Sequence, residues 1–283
     1  MGSEGRSDLV RGAAARLIEA GVGNGPVDAE RLLAHVLGVS RARLLLIDAV
    51  SRPDADRFRA LVERRVAREP LQHLLGTAAF RYVELAVGPG VFVPRPETEL
   101  LVDAALGELR GSQTPTVVDL CSGSGALALA LATELPTVRV TAVEQSSEAL
   151  IWLRRNVDTL GVAGRVTVVA TDVLRPDREL LEMAGTVDVV VANPPYVPTT
   201  VSVGPEVKHD PAGAVFGGPE GLDIIPAVIT LAGRLLRPHG LLVMEHDDTH
   251  GLAVPALFDA DWCDVRDHAD LTGRPRYVTA RRR

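Results

Sequence analysis

One nine-residue run constrains this chain more than any other. VVDLCSGSG at 117–125 is an apolar stretch that ends in an acid, passes at once into glycines, and opens an Ala/Leu-rich segment at Ala126. A short apolar run bounded by Gly reads as a buried strand, and the segment after it reads as helix. The same alternation continues downstream. Strand-like runs at 138–143, 166–170 and 187–191 are separated by helical patterns, the clearest at 147–160. Strands alternating with helices mean parallel pairing through crossover connections, so the expected fold class is α/β with a mostly parallel sheet. The C-terminal part predicts a helix near 222–236, a strand at 241–245 and two weaker strands near Val265 and Val278.

The first 75 residues have a different texture. Leu9, Val10, Ala13, Leu17 and Ile18 recur at helical spacing before Gly21. Pro26 opens a second helix, Ser40 caps a third, and Pro53 starts a fourth that buries Phe58, Leu61, Val62 and Val66. This predicts a small helical domain over 1–75. Between 76 and 96, runs at 80–87 and 91–93 flank Gly88-Pro89-Gly90, which reads as a hairpin linker turning at those three residues. The larger domain is expected over 97–283.

The carboxyl ends of parallel strands are where open α/β sheets bind ligands, and Gly123 and Gly125 allow close backbone approach there. The next strand ends in Glu144, about 20 residues on, where an acid can accept from ribose hydroxyls; the one after ends at Thr171-Asp172, suited to the amino group of an adenine. A phosphate-binding site would show G-x-G-x-x-G or G-K-[ST]. The sequence is instead G-S-G-A-L with no Lys or Arg beside it. A phosphate-free adenosyl ligand is therefore preferred, and S-adenosylmethionine is the common one.

The fourth strand runs directly into Asn193-Pro194-Pro195-Tyr196. Two prolines fix the backbone and hold Asn193 extended. The exposed polar groups are acceptors, the Asn193 side-chain carbonyl and the Pro194 main-chain carbonyl, matching the two N–H bonds of an amino group on a planar carbon. Such a nitrogen is a poor nucleophile because its lone pair is delocalised. Holding both hydrogens aims it and favours pyramidalisation as charge develops. Tyr196 is expected to lend an aromatic face to the flat target or the methyl sulfonium.

Composition narrows the classes. A net charge of -7 argues against a chain whose main task is gripping a phosphate backbone. Cys121 and Cys263 lie far apart, so neither a disulfide framework nor a thiolate metal site is expected. The histidines show no metal spacing, and no metal is expected. With no apolar run of membrane-spanning length and no secretory leader pattern, the reading is a cytoplasmic protein.

D-L-x-x-G-x-G and N-P-P-Y in this order resemble class I methyltransferases that act on exocyclic amino groups or amides. VPRPETE at 93–99 with PLQHLLG at 70–76 resembles more specifically the PrmC/HemK release factor glutamine methyltransferases, and VFGGPEGLD at 215–223 and LLVMEH at 241–246 also match that pattern. The resemblance runs from about Leu32 to GRPRYV near the C-terminus. It implies a helical N-terminal domain that engages the release factor and a Rossmann-like seven-stranded domain that binds S-adenosylmethionine and yields S-adenosylhomocysteine. The methyl acceptor it implies is the side-chain amide nitrogen of the Gln in the factor's Gly-Gly-Gln loop.

By motif match, Cys121, Ser122, Gly123, Ser124, Gly125, Glu144, Asp172, Val173 and Asn193 contact cofactor. Arg95, Pro96 and Thr98 cover it, and Asn193, Pro194, Pro195 and Tyr196 hold the Gln, with Asn193, Pro194 and Tyr196 catalytic. The expected partners are peptide chain release factors, with no direct nucleic-acid binding, no membrane association and a monomeric chain. Cys121 stands where relatives usually carry Gly, Glu144 where Asp is common, Val173 where some relatives have an aromatic, and His209-Asp210-Pro211 where a Glu-Pro pair is expected.

Two rival readings exist. A nucleic-acid methyltransferase acting on an adenine or guanine amino group shares the N-P-P-Y logic but needs a basic surface and a target-recognition region. A cofactor-binding scaffold without catalysis is opposed by the intact N-P-P-Y.

Overall fold

The computed structural model describes residues 2–283. The chain divides into two compact units, one of residues 2–77 together with Val203–His209, the other of Ala78–Ser202 and Asp210–Arg283.

The first unit opens with β1 (Ser3–Gly5), followed by α1 (Arg6–Glu19), α2 (Gly25–Leu37), α3 (Arg41–Leu44), β2 (Ala49–Ser51), α4 (Arg52–Val66) and α5 (Leu71–Leu75). Ser40 and Ser51 cap α3 and α4 by accepting from Arg43 N and Asp54 N at 3.2 and 3.3 Å. Leu17, Leu32, Leu33 and Phe58 form the core of the unit, fully enclosed. The sequence pattern shows the four longer-spaced helical segments but not the β1–β2 pairing, whose three residue pairs link Ser3 to Ser51 across 48 positions. Three-residue strands are too short for a period to register.

Four buried or half-buried charges also organise this unit. Arg65 Nε donates to Asp28 Oδ2 at 2.8 Å, and Glu206, from the Val203–His209 excursion, accepts from Arg65 Nη1 at 3.2 Å and Arg68 Nε at 2.8 Å.

A hairpin of β3 (Thr77–Phe80) and β4 (Val83–Ala86) follows, and from Ala78 on it belongs to the second unit. Its turn is at Arg81-Tyr82, not at Gly88-Pro89-Gly90, and 91–93 is not a strand. Arg81 adopts φ 48°, and its N–H and guanidinium are held by Glu99 and Glu134, which offset the cost of that conformation. Gly88 serves a different purpose: a Cβ there would stand 2.6 Å from the Trp152 ring.

The unit continues with α6 (Glu99–Leu109), β5 (Thr116–Leu120), α7 (Ala126–Glu134), β6 (Arg139–Glu144), α8 (Ser147–Thr159), β7 (Val166–Ala170), α9 (Arg178–Leu181) and β8 (Val187–Ala192). After these come α10 (Ala212–Val215), α11 (Ile225–Leu235), β9 (Leu236–Glu245), β10 (Trp262–Ala269) and β11 (Pro275–Arg282). A seven-stranded sheet runs β10-β11-β9-β8-β5-β6-β7, parallel throughout except for β11, which is antiparallel to both its neighbours. This is the Rossmann-like class I methyltransferase arrangement.

Alternate residues of each strand feed two cores. Val117, Val140, Val189 and Val243 face the layer of β3, β4, α6, α7 and α8; Val118, Val143, Val190 and Met244 face α11. Helix α7 is buried on every side from Ala126 to Ala132, which explains its lack of a polar face. The chain steps outward from β5 to β6 and β7, then crosses back to place β8 on the other side of β5. That reversal creates a crevice at the carboxyl ends of β5, β6 and β8.

Candidate functional site

A cavity of about 580 Å³ occupies this crevice, and all its lining residues belong to the second unit. Its floor is the turn after β5. Ser122, Gly123 and Ser124 line it with Cys121 and Asp119, while Gly125 lies behind them as the residue that caps α7. Three residues of the turn, Cys121, Gly123 and Gly125, have φ of 63°, 56° and 89°. Cys121 therefore holds, with a side chain, the left-handed conformation in which Gly is at ease, at a cost of about 1–2 kcal/mol. Burial and the nearby Glu144, Asp119 and Asp172 carboxylates push its thiol well above the ordinary range, so it is an inert wall and not a nucleophile.

The two glycines do different work. A Cβ on Gly125 would stand 2.6 Å from Leu153 Cδ1 and 2.9 Å from Leu129 Cδ1, whereas one on Gly123 would meet nothing within 4 Å and would project into open space beside the cavity.

Glu144 ends β6 as the spacing requires. Its carboxylate accepts from Gly123 N at 2.8 Å and from Gln145 N and Ser146 N at 2.8 and 2.7 Å, so it ties the Gly-rich turn to the start of α8. It lines the cavity and retains acceptor capacity.

Asp119 is a site residue that was not singled out as a ligand from sequence. It is fully buried; Oδ2 accepts from Ala128 N at 3.1 Å, while Oδ1 has no hydrogen-bond partner. Burial first, and then the Glu144 charge, lift its carboxyl to about 7. A buried acid with one free oxygen at the floor of a cavity is a place for a cation. The signal was present, since the acid closes an otherwise apolar strand.

The third strand end departs from expectation. Thr171 and Val173 line the cavity but Asp172 does not. Its Oδ1 accepts from Leu174 N at 2.9 Å and Oδ2 lies 3.5 Å from Arg175, so the carboxylate stabilises its own turn.

At the opposite wall, Asn193 and Pro195 line the cavity, together with Thr98 and Phe92. Asn193 Nδ2 donates to Thr98 Oγ1 at 3.1 Å, which leaves Oδ1 as the free end of the amide. Tyr196 is not in the lining: its hydroxyl donates to Glu245 Oε1 at 2.7 Å and the ring packs against the core on the α11 side. Pro194 is likewise outside the lining.

Arg95 does not reach the cavity either. Its guanidinium lies 2.6 Å from Asp210 Oδ2 and stacks over Phe92 with a centroid distance of 4.9 Å. The Asp210 carboxylate also accepts from Val93 N, so the His209-Asp210-Pro211 segment clamps residues 93–95, and Pro211 reaches the cavity. Phe92, an aromatic wall, was legible only as part of an apolar run.

The residues present fit an adenosyl amino acid: a free carboxylate oxygen for an ammonium, a glycine-floored turn without phosphate-binding cations, an acid at the second strand end and apolar walls from Val173 and Leu127. Among the described residues no cluster of His, Cys, Asp or Glu could hold a metal ion, and no helix is long and apolar enough to cross a membrane.

Comparison with known proteins points the same way. Residues 8–76 match the PrmC N-terminal domain and residues 85–208 the methyltransferase small domain. A release factor glutamine methyltransferase of Streptomyces coelicolor is 49% identical over 282 residues, covering 95% of each chain. One of Mycolicibacterium smegmatis is 48% identical over 276 residues, covering 96% of each. In fold the chain is similar to the Thermus thermophilus 16S rRNA N2 G1207 methyltransferase RsmC, solved with AdoMet and guanosine, with a TM-score of 0.51 and 22% identity over 73% of this chain and 50% of that one.

Proposed function

The chain belongs to the release factor glutamine methyltransferase family, and from that premise we propose how its own residues carry out transfer of a methyl group from S-adenosylmethionine to the side-chain amide nitrogen of a release factor glutamine. When bound, S-adenosylmethionine supplies an electrophilic methyl on a sulfonium. Asp119 Oδ1 takes the ammonium of its amino acid part, and Glu144 takes the ribose hydroxyls. Gly123 lets the turn approach closely, and Thr171 and Val173 flank the adenine, with Asp172 holding the turn that presents them.

Asn193 and Pro194 act on the acceptor. The observation that carries this reading is the Asn193 Nδ2 to Thr98 bond of 3.1 Å, because it occupies the nitrogen end of the amide and leaves the carbonyl oxygen of this cavity-lining residue free to accept. An acceptor at that point, with the Pro194 carbonyl, holds both hydrogens of a primary amide and places its nitrogen for in-line attack. Transfer would form the N–C bond as the sulfonium S–C bond breaks and S-adenosylhomocysteine leaves; positive charge on the nitrogen would make its hydrogens stronger donors, so the two acceptors would bind the transition state better than the ground state. Phe92 and Pro195 supply flat apolar walls for the amide plane. After transfer the proton would pass to solvent water from a nitrogen whose acidity has risen, so no strong base is needed in the cavity.

The partner is a release factor presenting its Gly-Gly-Gln loop, and we take the chain to act as a monomer, in the cytoplasm, without direct nucleic-acid binding. The test is labelled methyl transfer to a purified release factor, to its loop Gln→Ala variant and to duplex DNA. Label on the intact factor alone is expected; label on DNA would overturn the reading. Asn193→Ala is expected to lower kcat on the order of 100- to 1000-fold, the scale for losing one group that stabilises developing charge, with cofactor affinity within about twofold.

A further inference from the structure

The stretch 87–95 lies outside every helix and strand, yet it supplies Gly90, Val91, Phe92 and Pro94 to the cavity wall. A segment without a ladder must find partners for its main-chain groups elsewhere. Here side chains provide them. At the near end the Asn156 amide, buried on α8, accepts from Ala86 N at 2.7 Å through Oδ1 and donates through Nδ2 to Ala86 O at 3.0 Å and Ser124 O at 2.9 Å. The start of the stretch is thereby tied to the Gly-rich turn. Trp152 Nε1 then donates to Pro89 O at 3.2 Å. At the far end Asp210 takes over: its Oδ1 accepts from Val93 N at 3.2 Å and its Oδ2 from Arg95 Nη2 at 2.6 Å.

Phe92 stands between these two anchors. The Arg95 guanidinium lies over its ring, 4.9 Å from the centroid. A ring has two faces, and with a cation on one, the other is left for a flat ligand in the cavity that Phe92 lines. Asp210 acts on both determinants of the ring's position. Its bond to Val93 N fixes the backbone directly after Phe92, and its bond to Arg95 holds the guanidinium over the ring. The Asp210 side chain is fully enclosed while that of Arg95 is 31% exposed, so the carboxylate is the fixed member and the arginine the one it restrains. Burying a carboxylate costs free energy that an apolar side chain filling the same space would not.

We propose that Asp210 is a positioning residue for methyl transfer: by gripping Val93 and Arg95 together it fixes the Phe92 ring as the wall against which the target amide lies flat. This rests on the reading of Phe92 as a wall for the amide plane. Two hydrogen bonds to the target NH₂, one from each of its hydrogens, still leave the amide free to tilt about the line joining the two acceptors. A fixed ring against its face removes that tilt and keeps the nitrogen in line with the sulfonium methyl. The proposal also gives a task to the His209-Asp210-Pro211 segment, whose Pro211 reaches the same cavity.

The experiment is a double-mutant cycle of Asp210→Asn with Phe92→Ala, read as kcat at saturating cofactor and release factor, with Tm as the measure of folding. Asp210→Asn keeps the shape, and its Oδ1 can still accept from Val93 N, but its NH₂ meets the Arg95 guanidinium donor to donor. Alone it is expected to lower kcat about 10- to 100-fold, the scale for a small misplacement at the reacting centre. In the Phe92→Ala background it is expected to change kcat by less than about twofold, because the wall it positions is gone, while Tm falls in both backgrounds. A role confined to stability would lower Tm likewise and leave kcat of the folded enzyme intact. Wild-type kcat in Asp210→Asn, or losses that multiply in the double variant, would overturn the proposal. If Asp210→Asn does not fold, Arg95→Lys decides alone: it keeps a cation beside Asp210 but loses the planar stack, and a kcat that is unchanged, or lowered equally with and without Phe92, overturns the proposal. Loss of activity in Phe92→Ala with wild-type kcat in Asp210→Asn removes only the positioning, whereas wild-type kcat in Phe92→Ala removes the reading beneath it.

Discussion

Single residues set the chemistry at both ends of the cavity, and Asp119 gives the clearest handle. Its carboxyl is lifted to about 7 by burial, so near neutral pH it is only partly ionised. A cationic ammonium binds the ionised form. Cofactor affinity should therefore rise as pH goes from 6 to 7.5, by roughly eightfold if only the ionised form binds, and calorimetry across that window should find the rise absent in Asp119→Asn. The stability of the ligand-free protein runs the opposite way. A group whose folded value is raised contributes stability below the ordinary carboxylate range and loses it as pH climbs through about 7. Asp119→Asn should accordingly raise the Tm of the ligand-free protein at pH 8 while weakening cofactor binding. The placement of some of these residues was readable beforehand. Glu144 and Asn193 stand where spacing put them, but Asp172 serves its own turn and Arg95 serves Asp210, because which way a side chain points depends on partners 115 residues away in the Arg95 case.

At the scale of elements, the Gly-rich turn joins β5 to α7 with two glycines that sequence treats alike and packing separates. Gly125→Ala drives a methyl into Leu153 and Leu129 and imposes a left-handed φ of 89°, so a loss of about 2–3 kcal/mol in urea unfolding is expected. Gly123→Ala meets no neighbour, and at φ 56° its strain is near 1 kcal/mol. Its stability should change little while cofactor affinity falls at least tenfold, since the methyl intrudes where a ligand must approach. Equal stability losses in the two variants would contradict this division of labour. The central parallel strands β5 and β8 were legible because each is an apolar run buried on both faces. The hairpin register was not: the pattern over 80–93 is satisfied equally by a turn at Gly88-Pro89-Gly90, and only the Glu99 and Glu134 contacts to Arg81 favour the turn at Arg81-Tyr82.

For the molecule as a whole, the division into two units predicts separable failures. Arg65 is nearly buried, and its removal leaves Asp28 an enclosed charge without its partner. Arg65→Ala should destabilise the helical unit by about 3 kcal/mol in an unfolding experiment. Cofactor Kd should stay within about twofold, because no residue of that unit lines the cavity. What the amino-acid sequence determined by itself is the class of fold, the order of the crossover units, the adenosyl character of the ligand and the placing of Asn193 directly after the strand β8. All of these follow from local periodicity and from residue types that physics restricts to few conformations. Tertiary structure alone decided that Asp119 Oδ1 lies unpartnered on the cavity floor, that Asp210 clamps residues 93–95 and that Glu245 meets Tyr196 beside Asn193. Those depend on strand order, which juxtaposes residues 49 and more positions apart, and a distance across a sheet leaves no mark in the neighbouring sequence.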